Sequence, residues 1–154
     1  MELKEQRPGI LGVIADIVKV EKQYETAIET ALGGTIQNIV TDNENTAKDL
    51  IAYLKQNRFG RATFLPLSAI QVRNTLEGEP CMKEKGVIGA ASDLVRVSFE
   101  YEKLAKYLLG RILVVDNIDN ALAIARKYRH SLRIVTLEGE QLNPGGSMTG
   151  GAFK

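Results

Sequence analysis

The chain has 154 residues, 44% of them hydrophobic, which is the size and composition of one ordinary domain with a real core. Its 20 Lys and Arg nearly cancel 19 Asp and Glu, leaving a net charge of +1, so no global charge drives it toward nucleic acid or membrane. A single cysteine, Cys81, excludes an internal disulfide and a cysteine zinc site, and a single histidine, His130, excludes a two-histidine metal centre. The charged stretch 1–7 has no apolar signal-like run, and no apolar run is long enough to span a bilayer. A soluble, cytoplasmic protein without a membrane partner is expected.

Residues 13–20 alternate as a strand with one buried face. Tyr24, Ala27, Ile28, Ala31 and Leu32 then follow the i, i+3, i+4, i+7, i+8 spacing of a helical stripe, stopped by Gly33-Gly34. A short strand over 36–41 comes next. Asp42 or Asn43 caps a helix whose stripe is Ala47, Leu50, Ile51 and Leu54. Phe59-Gly60 turns the chain into a strand at 62–65 that Pro66 limits. Residues 71–85 mix Asn74, Gly78 and Pro80 with charges and read as a linker.

The plan then repeats. Gly12-Val13-Ile14 returns as Gly86-Val87-Ile88, the run 16–20 as 93–97, and Tyr24-Glu25 as Tyr101-Glu102. Leu32-Gly33 corresponds to Leu109-Gly110, Asp42-Asn43 to Asp116-Asn117, Ala47 to Ala121, and 62–67 to 132–137. Tyr101, Leu104, Ala105, Leu108 and Leu109 form the second stripe. A strand spans 111–115. Asp116 caps a helix with Ile118, Ala121, Leu122 and Ala125 inward, and a strand over 132–137 closes the unit. Alternating strands and helices predict a mixed α/β fold of two similar subdomains, 10–70 and 86–151, related by internal duplication and a pseudo-two-fold axis. Such a body has two equivalent faces and suits symmetric pairing with a second copy.

Catalytic patterns are missing. No Gly-x-x-x-x-Gly-Lys-[Ser/Thr] phosphate loop occurs, and Ser147 lacks the Gly-x-Ser-x-Gly spacing of a nucleophile elbow. His130 ends the basic run 126–130, where a cation suits a helix C-terminus. Cys81 has no neighbour that would lower its pKa. Glu138 and Glu140 flank a glycine as a solvated pair. Neither an enzyme nor a cofactor is expected.

The most unusual local sequence is 139–151, where glycines stand at Gly139, Gly145, Gly146, Gly150 and Gly151. A flexible linker, an anion nest of backbone N–H groups, and a packed interface needing close backbone approach are the three readings of such a segment. The spacing decides for the third: Gly139, six residues, Gly146, three residues, then Gly150-Gly151.

That spacing resembles the Gly-x6-Gly-x3-Gly-Gly signature of hinge domains in the structural-maintenance-of-chromosomes (SMC) family. The segments 8–13, 24–34, 37–40, 61–67 and 143–146 also resemble that family, of bacterial or archaeal type. The resemblance implies an SMC-hinge-like fold and a homodimer built by strand pairing between one protomer's first subdomain and the other's second. It implies an interface containing Gly139, Gly145, Gly146, Met148, Thr149, Gly150 and Gly151. It also implies coiled-coil arms, with 1–9 and 152–154 as their stumps, and ATP bound only by head domains outside this chain. A role in chromosome condensation and segregation at the nucleoid follows, with weak, non-specific contact to single-stranded or unpaired DNA. Candidate DNA contacts are Lys4, Arg7 and Lys154 at the arm junctions and Arg126, Lys127 and Arg129 in the basic run. A zinc-hook dimeriser is excluded, since it requires Cys-x-x-Cys. The rival reading is a small-molecule-binding regulatory α/β domain with the glycine tail as an anion nest.

Overall fold

The computed structural model describes residues 8–152. The first half runs β1 (Ile10–Val13), α1 (Ile14–Ile17), β2 (Lys19–Val20), α2 (Glu25–Leu32), β3 (Ile39–Thr41), α3 (Glu44–Asn57) and β4 (Phe64–Pro66). The second runs β5 (Val87–Ala90), β6 (Val95–Arg96), α4 (Glu102–Leu109), β7 (Ile112–Val115), α5 (Ile118–Lys127), β8 (Arg133–Thr136), β9 (Gln141–Leu142) and β10 (Met148–Thr149). A 3-10 turn, Ala91–Leu94, takes the place of α1 in the second half.

The expected strand over 13–20 is therefore two short strands around a helical turn. Ile14, Ile17 and Val18 also fit helical spacing, and the Val18 N–H donates to the Ile14 carbonyl at 3.0 Å. A short apolar run does not distinguish the two periods. Likewise 36–41 divides into a 3-10 turn, Gly33–Gln37, and the three-residue β3.

The two halves share one wiring. β3 lies between antiparallel β1 and parallel β4; β7 lies between antiparallel β5 and parallel β8. Register slips once in each first strand, between Ile10 and Gly12 and between Val87 and Gly89. These bulges correct the sequence alignment: Gly9 corresponds to Gly86 and Gly12 to Gly89. Gly9 and Gly86 have φ of +100° and +89°, and their carbonyls accept from the Asp42 and Asp116 N–H groups, each at 2.9 Å. A Cβ at Gly86 would come 2.5 Å from the Asp116 carboxylate, so backbone and space both demand glycine there.

Asn43 and Asn117 cap α3 and α5 by accepting from the N–H groups of Thr46 (3.0 Å) and Asn120 (2.9 Å). The second cap is thus Asn117, not Asp116. Asp116 instead accepts from Asn120 Nδ2 at 2.9 Å. At the centre β2 pairs antiparallel with β6, Lys19 opposite Arg96 and Val20 opposite Val95. Lys19 thereby faces the residue that holds its place in the other half, as a two-fold axis through that pair requires.

The main core joins the halves. Ile14, Ala27, Ile28, Leu32 and Val40 pack with Leu104, Leu109, Val114 and Val135 in one cluster. A second cluster belongs to the second half, and residues 71–85 contribute to it: Leu76 and Cys81 are buried there beside Leu113, Val115 and Ile134. Burial, first, and the nearby Glu79 push the Cys81 thiol up from its usual value.

The same segment is tied to α5. The Tyr128 hydroxyl donates to Glu84 Oε2 at 2.7 Å, and Lys127 Nζ lies 2.9 Å from that oxygen. Lys127, then Tyr128, holds the Glu84 carboxyl below its ordinary range, while the bond to Glu84 and partial desolvation push Tyr128 up to about 12. A raised acid stabilises the fold below its unfolded pKa and loses that contribution as pH climbs through the folded one. The Tyr128 contribution is therefore present below pH about 10 and is lost toward about 12. The Glu84 contribution has the opposite sense and is lost as pH falls through its depressed pKa. Ultraviolet titration should show one tyrosine ionising near pH 12, and Glu84→Gln should return it toward the others.

Candidate functional site: two open sheet edges

The sheets end differently. The first-half sheet has the order β1-β3-β4 and stops at β4, whereas the second-half sheet continues as β5-β7-β8-β9-β10. Two strands therefore lie beyond β8 with no counterpart beyond β4. Among the described residues no strand pairs with the outer edge of either β4 or β10. Unpaired edges expose rows of N–H and C=O groups that invite another chain.

The β10 edge is built by the glycine-rich segment. Gly139, at φ +93°, closes the β8–β9 turn, its N–H donating to the Thr136 carbonyl at 3.0 Å. The Thr136 hydroxyl donates to the Glu140 carboxylate, and the Glu140 N–H donates back to that hydroxyl at 3.1 Å. β9 and β10 then form a hairpin with Leu142 opposite Met148 and Gln141 opposite Thr149. Its loop holds Gly145 and Gly146 at φ +94° and +109°. The Gly145 N–H donates to the His130 carbonyl at 2.8 Å, the Asn143 N–H to Ser147 O at 2.8 Å, and Asn143 Nδ2 to Ser147 Oγ at 3.0 Å. A segment so fully hydrogen-bonded is no slack linker.

Met148 and Thr149 thus form the exposed β10 edge, with Met148 51% exposed, Gly150 and Gly151 follow it, and Gly145 and Gly146 lie in the exposed hairpin loop. Gly139 lies at the β8–β9 turn. At Gly151 φ of +125° calls for glycine, and a Cβ there meets nothing within 4 Å. Gly150 has no such φ, and a Cβ there would meet Glu140 Cγ tightly, at 3.2 Å, with the Glu140 carboxylate held by the Thr136 hydroxyl.

The β4 edge was not singled out from the sequence. It begins with the exposed stretch 59–63, of which the Thr63 carbonyl accepts from the Ile39 N–H at 3.0 Å on the inner side. Phe59 is 63% exposed and meets Tyr53 edge-on at 5.8 Å between ring centroids. Ile51, expected in the buried stripe of α3, is 47% exposed. With Leu54, Lys55, Gly60, Arg61 and Ala62 it lines a cavity of about 420 Å³ beside the strand. The available signal was this surplus of apolar residues on α3, one more than its buried face needs.

Ile118, also expected inward, is 38% exposed at the start of α5. Arg126 and Arg129 are exposed, while Lys127 is engaged by Glu84 and lies 6.0 Å from the Tyr128 ring centroid. Lys4, Arg7 and Lys154 lie outside the described residues. Among the described residues no group of His, Cys, Asp and Glu is arranged to hold a metal, and no helix is long and apolar enough to cross a membrane.

Residues 7–125 match the family model described as the SMC proteins flexible hinge domain. The chromosome partition protein Smc of Bacillus subtilis is 46% identical over 156 aligned residues, covering 100% of this chain and 13% of that protein. Among solved structures, an asymmetric dimer of the Geobacillus stearothermophilus SMC hinge domain superposes with a TM-score of 0.91 at 40% identity, covering 99% of this chain and 63% of that one. A Pyrococcus furiosus Smc hinge domain with an extended coiled coil gives 0.82 at 34% identity, covering 99% of this chain and 54% of that one. The chain thus spans about an eighth of the length of the Smc relative it matches.

Proposed function

The chain belongs to the SMC hinge family, and from that premise we infer that it is the dimerisation hinge of a chromosome partition ATPase. Its two open edges meet their complements in a second copy. The observation that carries this is the unequal ending of the two sheets: each protomer offers one β4 edge and one β10 edge. Pairing the β10 edge of one copy with the β4 edge of the other, twice, uses both of these edges on each copy and closes a ring instead of starting a fibre. Met148, exposed on β10, meets Ile51 and Leu54 in the groove that Lys55 and Arg61 also line in this arrangement.

Subdomains 10–70 and 86–151 are then joined by 71–85, and 1–9 and 152–154 lead to the two strands of a coiled-coil arm. ATP is handled by head domains outside this chain. The hinge itself contacts DNA, weakly and without sequence preference, through local cations such as Arg126 and Arg129, in the cytoplasm at the nucleoid. The anion-nest alternative gains nothing from the glycine segment: its Gly145 N–H is already spent on the His130 carbonyl.

Cross-linking tests the pairing. Ala62→Cys and Thr149→Cys chains, mixed and treated with a short bismaleimide, should give a covalent dimer. Each alone should remain uncoupled, since Cys81 is buried. Coupling that is equally efficient in the unmixed variants would contradict β4–β10 pairing.

A further inference from the structure

We propose that the cleft beside the β2–β6 ribbon is a docking site for an acidic segment of another protein. It holds a partner's Asp or Glu carboxylate between Lys19 and Arg96 and takes an apolar neighbour of that residue against Phe99. Nothing in the cleft comes from β4 or β10, so the proposal stands apart from the pairing of copies.

The ribbon has two faces. Val20 and Val95 pack against the main core, while Lys19 and Arg96, directly opposite each other, are exposed. Cross-strand partners share a face, and like charges so placed repel. Both halves of the duplication nonetheless carry a cation here, and neither cation makes an ion pair among the described residues. Among those residues Asp16 is the one carboxylate lining the cleft, and it pairs with neither. An anion brought from outside would relieve the repulsion that the chain leaves in place.

The cleft has a volume of about 490 Å³. Ser98 and Tyr101 bring hydroxyls to it, and Leu11 and Ile17 give it an apolar wall. Burial, then the nearby Glu100, pushes the Tyr101 hydroxyl up from its usual value, so it stays a proton donor. Phe99, which stands between those two residues in the chain, is 84% exposed. A lone exposed apolar side chain is ordinary. One set beside a pair of uncompensated cations gives a partner both an aromatic anchor and charge to neutralise. A nucleic acid fits this cleft less well, because its phosphates follow without a break and Asp16 stands beside the two cations. A peptide can set one carboxylate between the cations and an uncharged residue against Asp16.

Fluorescence anisotropy tests the site with a short labelled peptide of Glu, Leu and Ser and with the same peptide carrying Gln for Glu. Low salt keeps the surface charges least screened. The acidic peptide should bind the wild-type chain about tenfold more tightly than its Gln counterpart. Lys19→Glu should abolish that preference, because the new carboxylate engages Arg96 across the ribbon. The same pairing should raise the melting temperature by about 1–3 °C, so a chain that is stabilised yet has lost the peptide separates binding from folding. Phe99→Ser should weaken the acidic peptide by about fivefold or more and leave the melting temperature unchanged. Equal affinity for the two peptides, or binding unchanged in Lys19→Glu, would overturn the proposal. So would oligothymidylate that displaces the acidic peptide and loses its own binding in Lys19→Glu, which would make the cleft a nucleic-acid surface.

Discussion

Replacing Gly150 and Gly151 with Glu should convert the dimer to folded monomers, weakening association by about 100-fold or more. Each ring contains two β10 edges, so four carboxylates enter the interface, adding repulsion and bulk where the wild type has bare backbone. The two positions act differently. At Gly151 φ of +125° makes any side chain strained, at about 1–3 kcal/mol, whether or not a partner is present. At Gly150 the backbone is unstrained and the tight contact is 3.2 Å to Glu140 Cγ, so Gly150→Ala measures that local crowding and Gly150→Glu beside it tests the interface. Sedimentation velocity paired with circular dichroism reads both outcomes. A double variant that dimerises like the wild type would remove the glycine edge from the interface.

Truncating Leu109 to Ala should cost about 3 kcal/mol and lower the melting temperature by roughly 10 °C for a chain of this size. Leu109 is fully buried at the end of α4, yet the cluster around it includes Ile14, Ile28 and Val40 of the first half. The cavity should therefore destabilise both halves together, in one cooperative transition at fixed protein concentration. Urea unfolding followed by far-ultraviolet dichroism and by tyrosine fluorescence should give coincident curves. Two separated transitions, with only the later residues responding to Leu109→Ala, would mean that the halves fold independently.

The two eight-residue helices were legible because the stripes Ala27–Ile28–Leu32 and Leu104–Ala105–Leu109 follow one period and are buried as that period requires. The glycine edge was legible through spacing, since a backbone that leaves no room for side chains marks the sequence directly. Residues 13–20 were not, because three apolar residues over one turn satisfy both helix and strand. The offset in aligning Gly12 with Gly86 has a similar origin. Gly9 and Gly12 sit three apart, and only the bulge after Ile10 shows which of them matches Gly86. The β4 edge was hidden for another reason. Ile51 looks, in sequence, like a residue of the core, and Phe59 like part of a turn, yet both are exposed in a fold whose β4 has no outer neighbour among the described residues.

Two copies of this chain are expected to close on each other without any ligand. Light scattering coupled to size exclusion, run over a dilution series from tens of micromolar downward, measures it directly. The expected result is a mass of twice 16.9 kDa at the top of the series, unchanged by added phosphate or nucleotide. A mass of 16.9 kDa throughout would contradict it.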